Sequence, residues 1–380
     1  MMIYFDNAAT TYPKPESVSR AMFKANLVYG GNPGRSGHEL SMKTAEQVYF
    51  TRETVADFFG AQPENVVFTN NCTSALNTVI YGLYEKGKTI VTSNLEHNSV
   101  SRPVYNISKN GDVNWLKLDV YDKTDDEIVD CFHRNVGADC CLVVCTHASN
   151  VTGQVLPVER IYKICKARGV PFAIDVAQTA GVFPIKVNVH ADIICAAGHK
   201  GLYGPMGTGI FVLNGEVLPR PLTQGGTGSS SISFEPLNVP PDYYEAGTVN
   251  VPGIVGLRYG VKFVNCNGIN SIRKHELELC RLVYDKLVGS NIEIYTKQYA
   301  KCAPIFLFNF KNMSCMDGTK ILSDKGFAVR GGIHCAPMAH RALGTLPEGA
   351  IRFAPSIFNT RSQVLDFCRV VKNISLKRKE

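Results

Sequence analysis

Apolar residues in the first part of the chain alternate between helical and strand-like spacing. Over residues 41–59 they recur at steps of three and four, which predicts an amphipathic helix that ends near Gly60. The apolar run at 66–69 predicts a strand, the polar residues at 70–74 begin another helix, and the run at 89–93 predicts a second strand. Helices and strands therefore alternate along this part of the chain.

The same alternation continues through the middle of the chain. A helical pattern covers residues 158–168, and apolar runs predict strands at 140–149, 171–178, 193–197 and 209–213. Continuous apolar strands separated by helices are typical of a mostly parallel sheet that is covered on both faces. We therefore predict an α/β fold in which residues 15–250 form one large domain around this sheet.

The pattern changes after a Gly- and Ser-rich loop at 225–233 and a proline-containing stretch at 236–252. A long helix is expected from about 269 to 288, and the remaining elements are strands near 304–310 and 327–330 and a last helix from Ser362. This order is typical of a smaller α+β unit. We assign residues 1–14 and 251–380 to this small domain.

Composition narrows the class of protein without giving a function. Hydrophobic residues make up 45% of the 380 residues and charged residues 19%, and no apolar run approaches the roughly 18 residues of a membrane span. The net charge is +7, but the chain has only one cluster of basic residues, at 377–379. Neither nucleic acid nor a membrane is therefore expected as a partner. The N-terminus has no secretory signal pattern, which predicts a cytoplasmic protein.

Thirteen cysteines are scattered through the chain, with no C-x-x-C pair and no Cys/His cluster at zinc spacing. We therefore expect no metal site. Seven of the cysteines lie in apolar segments and are expected to be buried, reduced thiols: Cys131, Cys140, Cys141, Cys145, Cys165, Cys195 and Cys280.

Lys200 lies between the predicted strand at 193–197 and a glycine-rich turn. An amine close to an apolar sheet is easier to deprotonate, and a neutral amine is the form that makes a Schiff base with a carbonyl cofactor. A lysine in an ordinary surface turn is the alternative. The choice between the two depends on the neighbouring motifs.

Polar residues follow several predicted strands, at the edge where open α/β sheets bind ligands. Asp175 ends the apolar run PFAI, Gln178 lies one short turn further on, and His97 and Asn150 follow two other strands. The segment 71–74 begins a helix with hydroxyl and free N–H groups, which suits a phosphate site and equally an ordinary helix cap. Each of these residues alone is compatible with a turn or cap. Together with a Schiff-base lysine they match the needs of a pyridoxal phosphate enzyme.

Seven ordered motifs give the chain a resemblance to a known family, the class V branch of the fold-type I pyridoxal phosphate enzymes. Within this branch it resembles the cysteine desulfurases and selenocysteine lyases, in the group with a short catalytic loop. The resemblance runs from DNAATT at 6–11 to residues 358–360, and it includes LEHNS, SNVTG, DVAQ, GHKGLYGPMGTG, YEAGTVN and RGGIHCAP. It implies a large domain with a mostly parallel seven-stranded sheet and a smaller α+β domain.

The resemblance also implies roles for the residues of these motifs. Lys200 would form the Schiff base and move protons, Asp175 would pair with the pyridine nitrogen, and His97 would stack on the ring and shuttle a proton. Gln178 would contact the ring hydroxyl, and Asn150 would lie beside the ring and the substrate. Phosphate contacts are implied for Thr73, Ser74 and His199 and, across a homodimer with shared active sites, for Thr248.

The catalytic thiol of the resemblance falls on Cys335, in a loop that the pattern leaves exposed, unlike the other cysteines. Arg352 would bind the substrate carboxylate through its planar guanidinium, with Arg330 as a second substrate-binding residue. Ala197 departs from the family, because a hydroxyl residue usually contacts the phosphate there. His340 is either a partner of the thiol or, as we expect, a surface histidine.

The implied activity is that of a cysteine desulfurase, which converts L-cysteine to L-alanine and holds the sulfur as a persulfide on Cys335. The nearest alternative is a selenocysteine lyase or another carbon–sulfur lyase of this family. A class V aminotransferase would leave Cys335 without a task, and a cofactor-free scaffold would be compatible with Ala197. A protein that accepts the sulfur is a further expected partner.

Overall fold

The computed structural model describes residues 2–34, 37–228, 232–235, 237–297 and 301–376. Its strands are β1 (Ile3–Tyr4), β2 (Val66–Thr69), β3 (Thr89–Ser93), β4 (Asn114–Leu118), β5 (Cys140–Thr146), β6 (Phe172–Asp175), β7 (Ile193–Ala197), β8 (Gly209–Leu213), β9 (Ile292–Ile294), β10 (Phe306–Phe310), β11 (Phe327–Ala328), β12 (Arg330–Gly332) and β13 (Ala350–Phe353). Its α-helices are α1 (Glu16–Val28), α2 (Glu39–Phe59), α3 (Cys72–Leu83), α4 (Asn98–Lys109), α5 (Asp125–Asn135), α6 (Val158–Ala167), α7 (Val251–Asn267), α8 (Ile269–Leu287), α9 (Cys315–Asp324), α10 (Pro337–Leu343) and α11 (Arg361–Leu376). The basic cluster at 377–379 lies outside the described residues, as does part of the Gly- and Ser-rich loop.

The large sheet has the strand order β2-β8-β7-β6-β5-β3-β4. Its neighbouring strands are parallel, except that β8 is antiparallel to both β7 and β2. Alternate residues of β7 enter two different apolar cores, with Ile194 on one face and Ile193 and Cys195 on the other. Both faces are therefore covered, which explains the continuous apolar runs. The predicted α/β fold with a mostly parallel seven-stranded sheet is confirmed.

The ends of the predicted elements follow local chemistry. Helix α2 ends at Gly60, whose φ of +71° is a left-handed conformation that glycine adopts without strain. Helix α3 begins after Asn71, whose side chain accepts a hydrogen bond from the N–H of Ser74. Strands β2, β3 and β8 have the predicted residues.

Helix α7 is the longest of the elements that the apolar pattern does not predict, which also include α1, α4, β4 and α5. The pattern indicates only a proline-containing stretch up to residue 252, but Pro252 lies in the first turn of α7. Proline is tolerated there because the first N–H groups of a helix have no acceptor within the helix. The helix packs against α1 and α2, and Val255 and Leu257 enter the same core as residues of the large sheet.

A second sheet has the order β12-β13-β10-β9 and is antiparallel. Strand β1 pairs in parallel with β11, so the N-terminal segment lies against the C-terminal part of the chain. Phe5 packs there with Phe353 and Phe367 in a separate apolar core. The division into residues 1–14 with 251–380 and residues 15–250 stays a prediction.

All thirteen cysteines are free. The predicted burial is confirmed for five of the seven, but it is wrong for Cys131 and Cys140, which are partly exposed. Cys140 is the first residue of β5, where helices no longer cover the strand fully. Cys335 is exposed as predicted, but Cys266 at the end of α7 is exposed too, so exposure alone does not single out Cys335.

Within the described ranges, no helix has both the length and the apolar character needed to cross a membrane. The same residues contain no group of three or more His, Cys, Asp or Glu side chains that could hold a metal ion.

Candidate active site

Strand ends bring most of the predicted site residues to one edge of the large sheet. Asp175 is the last residue of β6 and lies beside Thr146 of β5 and Cys195 of β7. Lys200 follows β7, and His97 follows β3. A cavity of about 210 Å³ lies at this edge, and its walls include the predicted residues Lys200, Asp175, Gln178, His97, Thr73, His199, Asn150, Arg330 and Arg352.

Lys200 and Asp175 are the charged centre of this cavity. Burial lowers the pKa of the Lys200 amine, and the carboxylate of Asp175 opposes that shift in part. Oδ1 of Asp175 accepts hydrogen bonds from the N–H of Ala177 at 2.8 Å and from the thiol of Cys72 at 3.6 Å. An amine with a lowered pKa is a better nucleophile toward a carbonyl group, so Lys200 suits Schiff-base chemistry.

His97 caps helix α4, and this cap determines where its ring proton lies. Nδ1 accepts a hydrogen bond from the N–H of Ser99 at 3.0 Å, so the proton of the neutral ring is on Nε2. Burial lowers the pKa of His97 to about 4, which keeps the ring neutral at physiological pH. His97 is therefore a neutral, oriented imidazole with one proton to donate.

Two amide side chains of the cavity are held by backbone carbonyl groups. Nε2 of Gln178 donates to the carbonyl oxygen of Ala8 at 3.1 Å. Nδ2 of Asn150 donates to the carbonyl oxygen of His334 at 2.8 Å. The second contact ties the edge of the large sheet to the loop that carries Cys335.

Two buried polar atoms in the cavity wall have no hydrogen-bond partner: Nδ1 of His199 and Nε of Arg352. The rest of the Arg352 guanidinium is engaged, since Nη2 lies 2.9 Å from Oδ1 of Asp6 and Nη1 donates to the carbonyl oxygen of Asn150 at 3.1 Å. Buried polar atoms without a partner are rare because they cost free energy. These two atoms therefore mark places where a ligand would supply the missing partner.

The cavity residues fit pyridoxal phosphate. Lys200 supplies an amine for its carbonyl group, and Asp175 supplies an anion for its pyridine nitrogen. Thr73 in the first turn of α3 and the unpartnered Nδ1 of His199 suit its phosphate. Ala197 also lines the cavity and offers no hydroxyl group, so a phosphate bound there would depend on the start of α3 and on His199.

Ser74 and Thr248 lie outside this cavity and line a neighbouring one of about 300 Å³. Oγ of Ser74 donates to Oδ1 of Asn71 at 3.1 Å. Thr248 is exposed, and its Oγ1 accepts a hydrogen bond from Nδ2 of Asn32 at 3.4 Å. Ser74 thus lines a different cavity from Lys200, and its contact with the phosphate, like the role of Thr248 in a neighbouring subunit's site, stays a prediction.

Cys335 lies in the loop between β12 and α10, next to the cavity. Its side chain is exposed, and Sγ lies 3.9 Å from Nη2 of Arg330, which lines the cavity. His334 and Cys335 have φ values of +53° and +56°, which are uncommon for residues other than glycine. The carbonyl oxygen of Cys335 accepts a hydrogen bond from the N–H of Asn98 at 2.7 Å. A cation beside an exposed sulfur is typical of the surroundings of reactive cysteines.

His340 is fully buried, so the expectation of a surface histidine is wrong. Its Nε2 lies 3.1 Å from Nδ1 of His334, a neighbour that short-range patterns do not reveal. Sequence reasoning also missed the contacts of Cys72 with Asp175 and of Asp6 with Arg352. Asp6 begins the DNAATT motif and Cys72 begins a predicted helix, but only the fold decides which residue each one faces.

Comparison with known proteins agrees with this geometry. Residues 3–367 match the family model of the class V aminotransferases. The chain belongs to the class V aminotransferase family. Class V aminotransferases are pyridoxal phosphate enzymes, and the family predicted from the motifs is confirmed.

Several proteins similar to this class V chain are named cysteine desulfurase. A probable cysteine desulfurase of Pyrococcus abyssi is 33% identical over 386 residues, which cover 98% of this chain and 94% of that protein. The solved apo structure of a cysteine desulfurase from Thermococcus onnurineus NA1 is 31% identical, with a TM-score of 0.91 and coverage of 98% of this chain and 94% of that one. A solved cysteine desulfurase of Escherichia coli is 26% identical, with a TM-score of 0.86 and coverage of 99% and 94%.

Proposed function

We propose that this class V chain is a pyridoxal phosphate-dependent cysteine desulfurase, which converts L-cysteine to L-alanine. The placement of Cys335 carries the proposal: the thiol is exposed and lies 3.9 Å from Arg330, a wall residue of the cavity that contains Lys200. Amino transfer alone would give this thiol no task. Relatives that are named cysteine desulfurase and match over 98% of the chain support the same activity.

The cavity residues would hold the cofactor through distinct contacts. Lys200 would be the amine for its attachment, Asp175 would pair with its ring nitrogen, His97 would stack on its ring, and Gln178 would contact the ring hydroxyl; all four residues line the cavity. When bound, pyridoxal phosphate supplies an electron-withdrawing ring that stabilises negative charge at Cα of an amino acid. All further chemistry falls to side chains of this chain.

Binding and proton transfer use three of these side chains. The free Nε–H of Arg352 donates a hydrogen bond to the carboxylate of L-cysteine and so fixes the orientation of Cα. The amine of Lys200, with its lowered pKa, removes the Cα proton. His97 moves a proton at Nε2, because its Nδ1 is already occupied by Ser99.

Sulfur transfer uses Cys335. Its thiolate attacks the sulfur atom of the substrate, so that an S–S bond forms while the C–S bond breaks. The electron pair of the broken bond passes to Cβ of the substrate, which takes up a proton and becomes the methyl group of L-alanine. The reaction leaves a persulfide on Cys335, and no external oxidant or reductant is required.

The test of this function is the substitution Cys335→Ser, compared with Cys266→Ser as a matched change at the other exposed cysteine. We expect Cys335→Ser to lose alanine formation from L-cysteine while the visible absorption of the bound cofactor persists. Cys266→Ser should keep the parental rate. Parental desulfuration by Cys335→Ser would refute the proposal.

The same variants separate the alternative activities. Retention of L-selenocysteine cleavage by Cys335→Ser, with loss of L-cysteine cleavage, would indicate a selenocysteine lyase, since selenium leaves more readily than sulfur. Amino transfer to a keto acid by the parental protein would indicate an aminotransferase. Absence of visible absorption after addition of pyridoxal phosphate would indicate a scaffold protein.

We further propose a cytoplasmic homodimer that hands its sulfur to an acceptor protein. The exposed position of Thr248, outside its own chain's Lys200 cavity, supports a contribution to a neighbouring subunit. Thirteen free cysteines support a reducing compartment, and the exposed Cys335 suits delivery to a protein. Sedimentation equilibrium should give twice the mass of 41.7 kDa. A fully active monomer would contradict the shared site.

A further inference from the structure

Two buried histidines lie behind Cys335 and take no part in the reaction steps above. His334 is 2% exposed and His340 is 0% exposed. Nδ1 of His334 lies 3.1 Å from Nε2 of His340, and Nδ1 of His340 lies 2.7 Å from Oγ1 of Thr345. At the other end, Nε2 of His334 lies 3.1 Å from the carbonyl oxygen of Arg330. We refer to His334, His340 and Thr345 as the histidine chain.

The direction of every hydrogen bond in the histidine chain follows from its ends. A carbonyl oxygen only accepts, so Nε2 of His334 carries a proton and donates it to Arg330. In a neutral ring Nδ1 of His334 then accepts, so His340 donates through Nε2. Nδ1 of His340 is left as an acceptor for the hydroxyl proton of Thr345. All ring nitrogens in the histidine chain are therefore satisfied without any net charge.

The surroundings keep both rings neutral. Burial lowers the pKa of His334 to about 2 and the pKa of His340 to about 4, and the nearby cation of Arg352 adds to both shifts. While both rings are neutral, the hydrogen bond between His334 and His340 cannot change direction unless His334 loses its hydrogen bond to the carbonyl oxygen of Arg330. The histidine chain consequently has one arrangement at physiological pH.

The histidine chain is connected to the two groups that define the sulfur site. His334 directly precedes Cys335, and both have positive φ values of +53° and +56°. Such conformations persist where surrounding contacts impose them. The other end of the histidine chain contacts the backbone of Arg330, whose guanidinium lies 3.9 Å from Sγ of Cys335.

We propose that the histidine chain is a positioning device that holds Arg330 beside Cys335 and thereby sets the reactivity of this thiol. His334, His340 and Thr345 are positioning residues, because none of them contacts Sγ in the structure. The inference rests on the proposed function, in which Cys335 is the sulfur nucleophile. It adds that two residues beyond the thiol loop, His340 and Thr345, control this nucleophile.

The test measures the rate at which iodoacetamide alkylates Cys335 in the cofactor-loaded protein at one fixed pH. A Cys266→Ser background removes the other exposed thiol, and peptide mass mapping assigns the product to Cys335. His340→Leu removes the donor to His334, His340→Gln restores a donor at the place of Nε2, and Thr345→Val removes the hydroxyl proton. His133→Leu is the matched control, since His133 is exposed on α5.

We expect His340→Leu and Thr345→Val to be alkylated roughly fivefold more slowly, because Sγ of Cys335 loses the adjacent guanidinium of Arg330 on which its reactivity depends. His340→Gln and His133→Leu should stay within about twofold of the background protein, with circular dichroism unchanged throughout. Equal alkylation rates in folded His340→Leu and in the background would overturn the proposal. If His340→Leu fails to fold, a parental rate in Thr345→Val would overturn it instead.

This outcome is independent of the proposed function. Alkylation reports on the thiol alone and requires no turnover of L-cysteine. If Cys335→Ser retained desulfuration, the proposed function would fail whatever the alkylation rates were. If Cys335→Ser lost desulfuration and the alkylation rates were all equal, only the histidine chain proposal would fail.

Discussion

Arg352 and Asp6 form an ion pair between the two ends of the chain, in which Arg352 is buried and Asp6 is partly exposed, with Nη2 2.9 Å from Oδ1. Arg352 lies on β13, and Asp6 lies just after β1. The side chain of Arg352 is 1% exposed, so Asp6 supplies most of the charge compensation for a cation that water does not reach. The same pair fixes the guanidinium whose Nε is free for a substrate carboxylate.

We predict that Asp6→Asn lowers the free energy of unfolding by about 2 kcal/mol and raises the KM for L-cysteine more than it changes kcat. The reason is that Arg352 loses its counter-charge and its fixed position together. Asp126→Asn is the control, because Asp126 pairs with Arg160 at 2.7 Å on the exposed surface, where about 0.5 kcal/mol or less is expected. Urea denaturation and steady-state kinetics measure the two effects. Equal losses of stability in both variants would contradict the role of burial.

Asp175→Asn should lower kcat for alanine formation by about 100-fold or more, since a neutral amide cannot stabilise a protonated ring nitrogen. Cys72→Ala removes only the weak thiol donor to Oδ1 of Asp175, so its kcat should stay within about threefold of the parent. Both variants are assayed with saturating cofactor. If kcat fell further in Cys72→Ala than in Asp175→Asn, the thiol of Cys72 would matter more than the carboxylate of Asp175, and the prediction would be refuted.

Glu276→Gln should make stability less dependent on pH. Burial raises the pKa of Glu276 to about 8 from an ordinary value of 4.5, and the hydroxyl of Tyr203 lies 3.2 Å from its Oε1. Between pH 5 and pH 8 the folded chain keeps a proton that the unfolded chain has lost, so stability falls as the pH rises. As the pH rises through this window, the free energy of unfolding of the variant should increase relative to that of the parent by about 1 kcal/mol per pH unit.

Denaturation curves at pH 5, 6, 7 and 8 measure this difference. Glu278→Gln on the same helix is the control, because Glu278 is exposed and should follow the parent at every pH. Parallel stability curves for the Glu276→Gln variant and the parent would refute the prediction.

Gly209→Ala should destabilise the protein by about 3 kcal/mol and weaken cofactor binding. A Cβ atom at Gly209 would lie 2.2 Å from the backbone carbon of Asn71, the residue that caps α3. The start of α3 would have to move away from β8, and with it Thr73. At Gly137 a Cβ atom meets nothing within 4 Å, so Gly137→Ala should bind the cofactor like the parent. Cofactor titration by absorbance would contradict the prediction if both variants bound equally well.

Six of the seven strands of the large sheet could be predicted from their continuous apolar runs, but β4 could not, since most of its residues are exposed or half-buried. Residues 193–197 and 209–213 are apolar at every position, since helices cover both faces of the sheet. Helix α7 escaped prediction because it is apolar on several sides, with a proline in its first turn and glycines along its length. Its packing against α1 and α2 compensates for a sequence with weak helix propensity.

Some residues of the candidate site could likewise be predicted from the sequence, and others could not. Lys200, Asp175 and His97 could be predicted, because each follows a strand whose carboxyl end lies at one sheet edge. The sequence did not reveal that Thr73 and Ser74 line different cavities, because neighbouring residues of one helical turn point in different directions and only packing decides which cavity each one lines.

The sequence by itself determined the parallel sheet, the edge at which ligands bind and the residues that reach this edge, because these depend on local periodicity and on strand direction. The tertiary structure alone decided the partners of Arg352, Cys335 and His340. Asp6 reaches Arg352 across almost the whole chain, and the buried ring of His340 on α10 lies against the ring of His334. Contacts of this kind depend on how separate segments pack, and hydrophobic spacing within one segment carries no record of them.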